Sequence, residues 1–194
     1  QFDDAAKYYW RALRNYQQSP AAESIKAGGV YHDLSGLERR RGNTAEAEQL
    51  ASQSLEIRMR VQGMTHPATA TEMIWLADLM AERKKFDEAE RFYRGAIGII
   101  ESAYEDEHYE IANTLAKLAT LCVAQNRIAE AERHLLRAVA IKEKLFGIEN
   151  LEVAQLRNEL AELYELQSRH AEARQLLHSA QAIFNKATGP LKLE

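Results

Sequence analysis

Along residues 71–100, TEMIWLADLMAERKKFDEAERFYRGAIGII, apolar side chains recur at helical spacing on both sides of a polar break at Arg83, Lys84 and Lys85. Ala77, Ala89 and Ala96 fall where two helices would cross closely, with bulky Leu76, Leu79, Phe86, Tyr93 and Ile99 between them. The pattern predicts an antiparallel helix pair. A single pair cannot bury its apolar stripe alone, so it needs neighbours of the same kind. A shift of 42 residues supplies them. Ala5, Ala47, Ala89, Ala131 and Ala173 form one column, and Leu34, Leu76, Leu118 and Leu160 a second. A third column holds Asn15, Ile57, Ile99, Ile141 and Ile183. The chain reads as an all-α array of helix pairs.

The array divides as follows. Residues 1–19 hold the second helix of a truncated repeat: FDDAAKYYWRAL matches FDEAERFYRGAI, and Ser19 and Pro20 end it. Complete repeats follow at 21–64, 65–107, 108–149 and 150–189, making a single array over 1–190 with a tail at 190–194. The missing first half predicts an exposed apolar patch among Phe2, Tyr8, Tyr9 and Trp10, and with it self-association through this helix. Gly28, Gly29 and Gly36 predict that the first helix of the first repeat, near 22–40, is the least regular. Gly42 with Asn43, Asn126 and Ser168 mark the turns inside repeats; Gly147 and Gly189 with Pro190 mark helix ends. The chain opens on Gln1 without methionine, which suggests a fragment, and Leu193 with Glu194 suggests a cloning scar.

Composition narrows the function classes. A net charge of −4 argues against general affinity for nucleic acid or an anionic membrane surface. No apolar run approaches the length of a membrane span. A cytoplasmic location is expected. The one cysteine, Cys122, lies on an apolar helix face and reads as a small core residue. Acids early in the second helices (Glu46 and Glu48, Asp87 and Glu88, Glu130 and Glu132, Glu172) suit the positive helix end. His32, His66, His108, His134, His170 and His178 are scattered over loops and faces. Glu130 and His134, four apart on one helix, could share a metal, but the sequence offers no third converging ligand. No phosphate loop, nucleophile elbow or cysteine cluster appears, so neither an enzyme nor a cofactor is expected.

The columns resemble the tetratricopeptide repeat. In the second repeat the matching residues are Met73, Leu76, Ala77, Met80, Ala89, Tyr93 and Ala96; in the third, Leu115, Leu118, Ala119, Cys122, Ala131, Leu135 and Ala138. The fourth supplies Arg157, Leu160, Ala161, Tyr164, Ala173, Leu177 and Ala180, and the first, more weakly, Tyr31, Leu34, Ser35, Glu38, Ala47, Ala51 and Ser54. The usual repeat takes about 34 residues. At 42 residues, with Phe86, Glu88, Ala89, Glu90, Ala96, Ile99 and the His66 and Pro67 entry, the unit is similar to the kinesin light chain subclass. That subclass carries paired asparagines where this chain has His32 and Asp33, Ile74 and Trp75, Ala116 and Lys117, and Asn158 and Glu159. Only Asn158 agrees, so the resemblance carries the scaffold rather than a cargo preference.

The resemblance implies a right-handed α-solenoid, a superhelix of antiparallel pairs whose concave wall is made by the first helices. It places Gly29, His32, Gly36, Arg39 and Arg40 in that groove, then Thr71, Ile74, Trp75, Asp78 and Glu82. Asn113, Ala116, Lys117, Thr120 and Ala124 follow, then Gln155, Asn158, Glu159, Glu162 and Glu165. The wall is graded from basic through apolar to acidic. Trp75 is either the central anchor or a core aromatic, and Arg39 with Arg40 either a binding patch or a solvated helix end. The expected function is a scaffold that binds a peptide or protein segment in this groove. The alternative is an assembly element acting through the ends of the array.

Overall fold

The computed structural model describes residues 2–18, 24–104 and 107–187, without the side chains of residues 2–5 and 17. The breaks and ends expected at Ser19, Pro20, Gly189 and Pro190, and the tail at 190–194, lie outside the described residues. Every regular element among them is a helix. They are α1 (Phe2–Gln17), α2 (Ile25–Arg40), α3 (Thr44–Gln62), α4 (Pro67–Glu82), α5 (Phe86–Tyr104), α6 (Tyr109–Ala124), α7 (Ile128–Phe146), α8 (Leu151–Leu166) and α9 (His170–Ala187). First helices begin at 25, 67, 109 and 151 and second helices at 44, 86, 128 and 170, a strict 42-residue period. The chain is an all-α helical-repeat solenoid in class. It forms two compact units, residues 1–103 and 104–194. In the first, α1 packs on α2, α2 on α3 and α3 on α4; in the second, α6 packs on α7, α7 on α8 and α8 on α9.

The period is written into the helix ends. Ser24, His66, His108 and Asn150 each cap a first helix, their side chains accepting from the backbone N–H two or three residues on. Two of the scattered histidines are therefore caps. At the turn inside each repeat, residues 42, 84, 126 and 168 all take a left-handed conformation, with φ of 84°, 59°, 59° and 61°. The next N–H donates back five residues: Asn43 to Glu38, Lys85 to Met80, Arg127 to Cys122 and Arg169 to Tyr164. The left-handed residue itself donates to Arg39, Ala81, Val123 and Glu165. This is a Schellman closure in every repeat. Lys84 occupies one of these positions, inside the polar break at Arg83, Lys84 and Lys85 but without the glycine or asparagine that favours this conformation.

The small-residue column behaves as the pattern requires. Ala47, Ala89, Ala96, Ala131, Ala138, Ala173 and Ala180 are fully buried. Ile57, Ile141 and Ile183 are buried while Ile99 is half-buried. Two expectations need correction. The helix α2 runs unbroken from Ile25 to Arg40 despite its glycines. Gly28 serves close approach instead, since a Cβ there would sit 3.3 Å from Ile57 Cγ2 and its carbonyl accepts from Ser54 Oγ at 2.9 Å. The N-terminal patch is also smaller than expected. Tyr9 and Trp10 pack with Ala6 and Leu13 against a cluster containing Ala27, Tyr31 and Leu34, because α2 covers that face of α1. Tyr8 stays 72% exposed, and the side chain of Phe2 lies outside the described residues.

Candidate functional site: the first-helix walls

In the first unit the wall residues come from α2 and α4. Trp75 is half-buried and packs against Ala47, Ala51, Leu55, Leu76 and Leu79. Its indole Nε1 donates to Ser35 Oγ at 2.9 Å, and Ser35 in turn donates to the Ala47 carbonyl at 2.8 Å. His32 tilts against the indole with ring centroids 5.4 Å apart, and the Arg39 guanidinium lies 4.9 Å from the ring. Arg39 also donates through Nε to Glu82 at 2.8 Å. Asp78 accepts from the Tyr93 hydroxyl at 2.6 Å, and burial together with the Asp78 charge pushes the phenol pKa up. Arg40 and Thr71 are exposed and Ile74 half-buried.

Behind this wall sits Glu72, 2% exposed, with His32 Nδ1 at 3.0 Å. Arg58 Nε lies 2.8 Å from its other oxygen, close enough to pair though not aligned for a hydrogen bond. The Glu72 hydrogen bond raises the His32 pKa against the opposing effect of burial. His32, Arg39, Asp78 and Glu82 are thus engaged within the unit. Arg39 is not the free basic start that the gradient suggested, because Glu82 and Trp75 hold it.

The second unit presents a more open wall from α6 and α8. Asn113, Thr120, Gln155, Glu159 and Glu162 are exposed, while Lys117 and Asn158 are half-buried. Two depressions adjoin there. One, about 300 Å³, is lined by Asn113, Ala116, Lys117, Lys142, Glu152, Gln155, Leu156 and Glu159. The other, about 170 Å³, is lined by Ala119, Thr120, Val123, Leu135, Glu159, Glu162, Leu163 and Leu166. Glu159 belongs to both. The residue is exposed as a whole, yet partial burial and then the Glu162 charge raise its carboxyl pKa. Lys117 and Lys142 with Glu152 and Glu159 supply the charges of the first depression, and Glu159 with Glu162 edge the second, whose other lining is mainly aliphatic.

Sequence reasoning missed one recurring device. Glu48 accepts from Arg83 at 2.5 Å and Lys85 at 2.6 Å, and Glu132 accepts from Arg169 at 2.7 Å and Gln167 at 3.0 Å. Burial opposes ionisation of both, yet the hydrogen bonds outweigh it and hold both carboxyls below their usual range. These acids staple one second helix to the turn of the next repeat, besides any interaction with their own helix end. The signal was available as an acid followed 37 residues later by a cation at Lys85 and Arg169.

The geometry defines a class first: a repeat scaffold presenting side chains along first-helix walls. Family models described as tetratricopeptide repeat match residues 29–68 and 68–144. The chain belongs to the tetratricopeptide repeat family. Among solved structures, BtubC (BKLC) from P. vanneervenii is 21% identical, with a TM-score of 0.88 over 100% of this chain and 77% of that one. The nearly identical TPR-like repeats of a Podosopora anserina kinesin light chain are 22% identical, with a TM-score of 0.84 over 98% and 90%. The apo form of RapI is 16% identical, with a TM-score of 0.82 over 96% and 65%. No curated protein matches the sequence. The family is a general protein–protein interaction scaffold, non-catalytic by fold. Among the described residues no helix is long and apolar enough to cross a membrane.

Proposed function

We propose that this chain binds a partner segment along its first-helix walls, with the α6–α8 wall of the second unit as the principal site. The observation that carries this reading is the pair of adjoining depressions sharing Glu159. Recognition grooves pair apolar pockets with a few placed polar groups. Here Lys117 suits an acidic or carbonyl group, and Glu159 with Glu162 suits a lysine or arginine beside an apolar side chain. The partner is an extended or short helical segment, fixed in one direction by that asymmetry. In the first unit Arg40, Thr71 and Ile74 offer a secondary contact, since Trp75, Arg39 and Asp78 are engaged internally.

A display selection of random peptides on the whole chain tests the reading. Peptides enriched on the native protein should lose binding to Thr120→Arg, which fills the apolar depression, and keep it against Arg133→Glu on α7. Recovered peptides that bind Thr120→Arg undiminished would remove the wall from consideration.

A second reading, docking of another helix on α9, is supported by Leu177. It is 42% exposed, whereas Leu135 one repeat earlier is 3% exposed. Leu177→Glu should then abolish any concentration-dependent association seen by sedimentation; a chain that is monomeric at all concentrations speaks against it.

A further inference from the structure

The tip of the α6–α7 pair brings together Cys122, Glu130 and His134, whose potential ligand atoms all lie within 4.8 Å of one another. Cys122 stands in the last turn of α6 and is fully buried; Glu130 and His134 stand one turn apart near the start of α7 and are half-buried. The turn between them is fixed by the Arg127 N–H donating to the Cys122 carbonyl at 2.8 Å. The third ligand that sequence spacing could not supply comes from the preceding helix.

Comparison between repeats separates this cluster from ordinary packing. At the Cys122 position the other repeats carry Glu38, Met80 and Tyr164, and at the His134 position they carry Leu50, Phe92 and Leu176. Among the complete repeats this is the one in which both positions carry metal-ligating residues, on opposite sides of one turn. Glu130, by contrast, is common to all, as Glu46, Glu88 and Glu172. Two changes therefore convert a standard repeat tip into a three-donor cluster. A small core cysteine and a rim histidine, taken separately, would not need to coincide.

We propose that Cys122, Glu130 and His134 bind one borderline-soft divalent metal ion of the zinc class, with water in a fourth position. A thiolate with imidazole and carboxylate favours zinc over magnesium or calcium, which take all-oxygen shells. Tetrahedral zinc with bonds of about 2.0–2.3 Å holds its donors roughly 3.5 Å apart. From separations of at most 4.8 Å, the donors have at most about 1.3 Å to close on the ion. Arg127 Nε and Nη2 donate to Glu130 at 2.9 and 2.7 Å. A carboxylate oxygen has a second lone pair, so this arginine can orient the carboxylate while it also faces the metal. Two anionic donors balance the ion's charge, and the bound ion ties α6 to α7.

Cobalt titration of metal-free whole chain tests the site. The expected result is a one-to-one complex with a thiolate-to-cobalt charge-transfer band and strong visible bands, displaced by zinc. Cys122→Met and His134→Leu install the kinds of residue that other repeats carry at these positions. Cys122→Met should abolish the charge-transfer band, and His134→Leu or Glu130→Gln should weaken binding by roughly tenfold or more. Zinc should raise the melting midpoint of the native chain and not of Cys122→Met. Absence of the band, undiminished affinity in His134→Leu, or an equal zinc shift in Cys122→Met overturns the site. X-ray absorption of the zinc-loaded native chain gives a readout independent of variant folding: one sulfur ligand is expected, and none refutes the proposal.

Discussion

The indole Nε1 of Trp75 donates to Ser35 Oγ across 2.9 Å, from α4 to α2. Ser35 occupies the column where later repeats place Ala77, Ala119 and Ala161. The first repeat thus spends a hydroxyl on its neighbour's tryptophan, and the ring is clasped by His32 and Arg39 besides. Trp75 joins two repeats.

This placement predicts a stability effect. Trp75→Ala should cost roughly 2–4 kcal/mol, somewhat below the usual loss for a fully buried tryptophan because the ring is only half-buried. Trp75→Phe keeps the ring contact and loses one hydrogen bond, about 1 kcal/mol. Urea unfolding followed by circular dichroism measures both. A Trp75→Ala protein as stable as the native one would show the indole to be a free anchor after all.

The acids of the second helices divide by role. Glu48 is stapled to Arg83 and Lys85, whereas Glu46, on the exposed side of the same turn, has only its own helix end to favour it. Glu48→Ala should therefore cost roughly 1–3 kcal/mol, as for hydrogen bonds to charged partners. Glu46→Ala should cost at most about 1 kcal/mol, the scale of a helix-dipole interaction. Equal losses in the two variants would restore the dipole as the common cause.

The same staples carry a pH dependence. Glu48 and Glu132 both have lowered pKa values in the folded chain. Their contribution is present above the ordinary glutamate range and is lost as pH falls through it to the lowered folded values. Glu48→Gln should flatten the acid limb of a stability-versus-pH curve. An unchanged limb would mean that other carboxylates set it.

Most of the fold was legible because the 42-residue period is a property of apolar columns, and columns such as Leu34, Leu76, Leu118 and Leu160 survive individual substitutions. The wall was less legible. Which side chains line it follows from register, but whether they are available depends on partners far away in sequence. Arg39 meets Glu82, 43 residues on, and His32 meets Glu72, 40 residues on. Charge gradients along a wall do not reveal such pairings. The Cys122 and His134 cluster was hidden for a related reason: its donors lie on two helices, and only the closure of the turn brings them together.

The turn geometry gives a prediction of opposite sign to most substitutions. Lys84 and Ser168 hold φ near 60°, a conformation that costs a residue with a Cβ roughly 1–2 kcal/mol. Lys84→Gly and Ser168→Gly should each stabilise by up to about 1 kcal/mol after the glycine's extra unfolded-state entropy is deducted. Gly147, at φ 83° and ψ 159°, lies in a region almost reserved for glycine. Gly147→Ala should cost about 1–3 kcal/mol. Thermal melts of the three variants check the set, and a destabilised Lys84→Gly would show that the lysine side chain has a compensating contact.

The last prediction concerns the α6–α8 wall and rests on Glu159. Its carboxyl has a raised pKa, from burial first and then from the Glu162 charge, so it begins to lose its charge at a higher pH than an ordinary glutamate. A lysine or arginine seated in the adjoining apolar depression would supply the missing counter-charge. Affinity for a selected cationic peptide should therefore rise as pH increases through the raised Glu159 range, and binding should take up the ionised form. Glu159→Gln should flatten that rise, with Glu162→Gln weakening binding and moving the rise toward lower pH. Thr120→Arg should remove binding at every pH by placing a cation where the peptide's own would lie. Isothermal titration in buffers from below the ordinary glutamate range up to neutral pH reads all three. A peptide whose affinity is flat across that range in the native chain does not use Glu159, and the wall's acidic edge would then have no part in recognition.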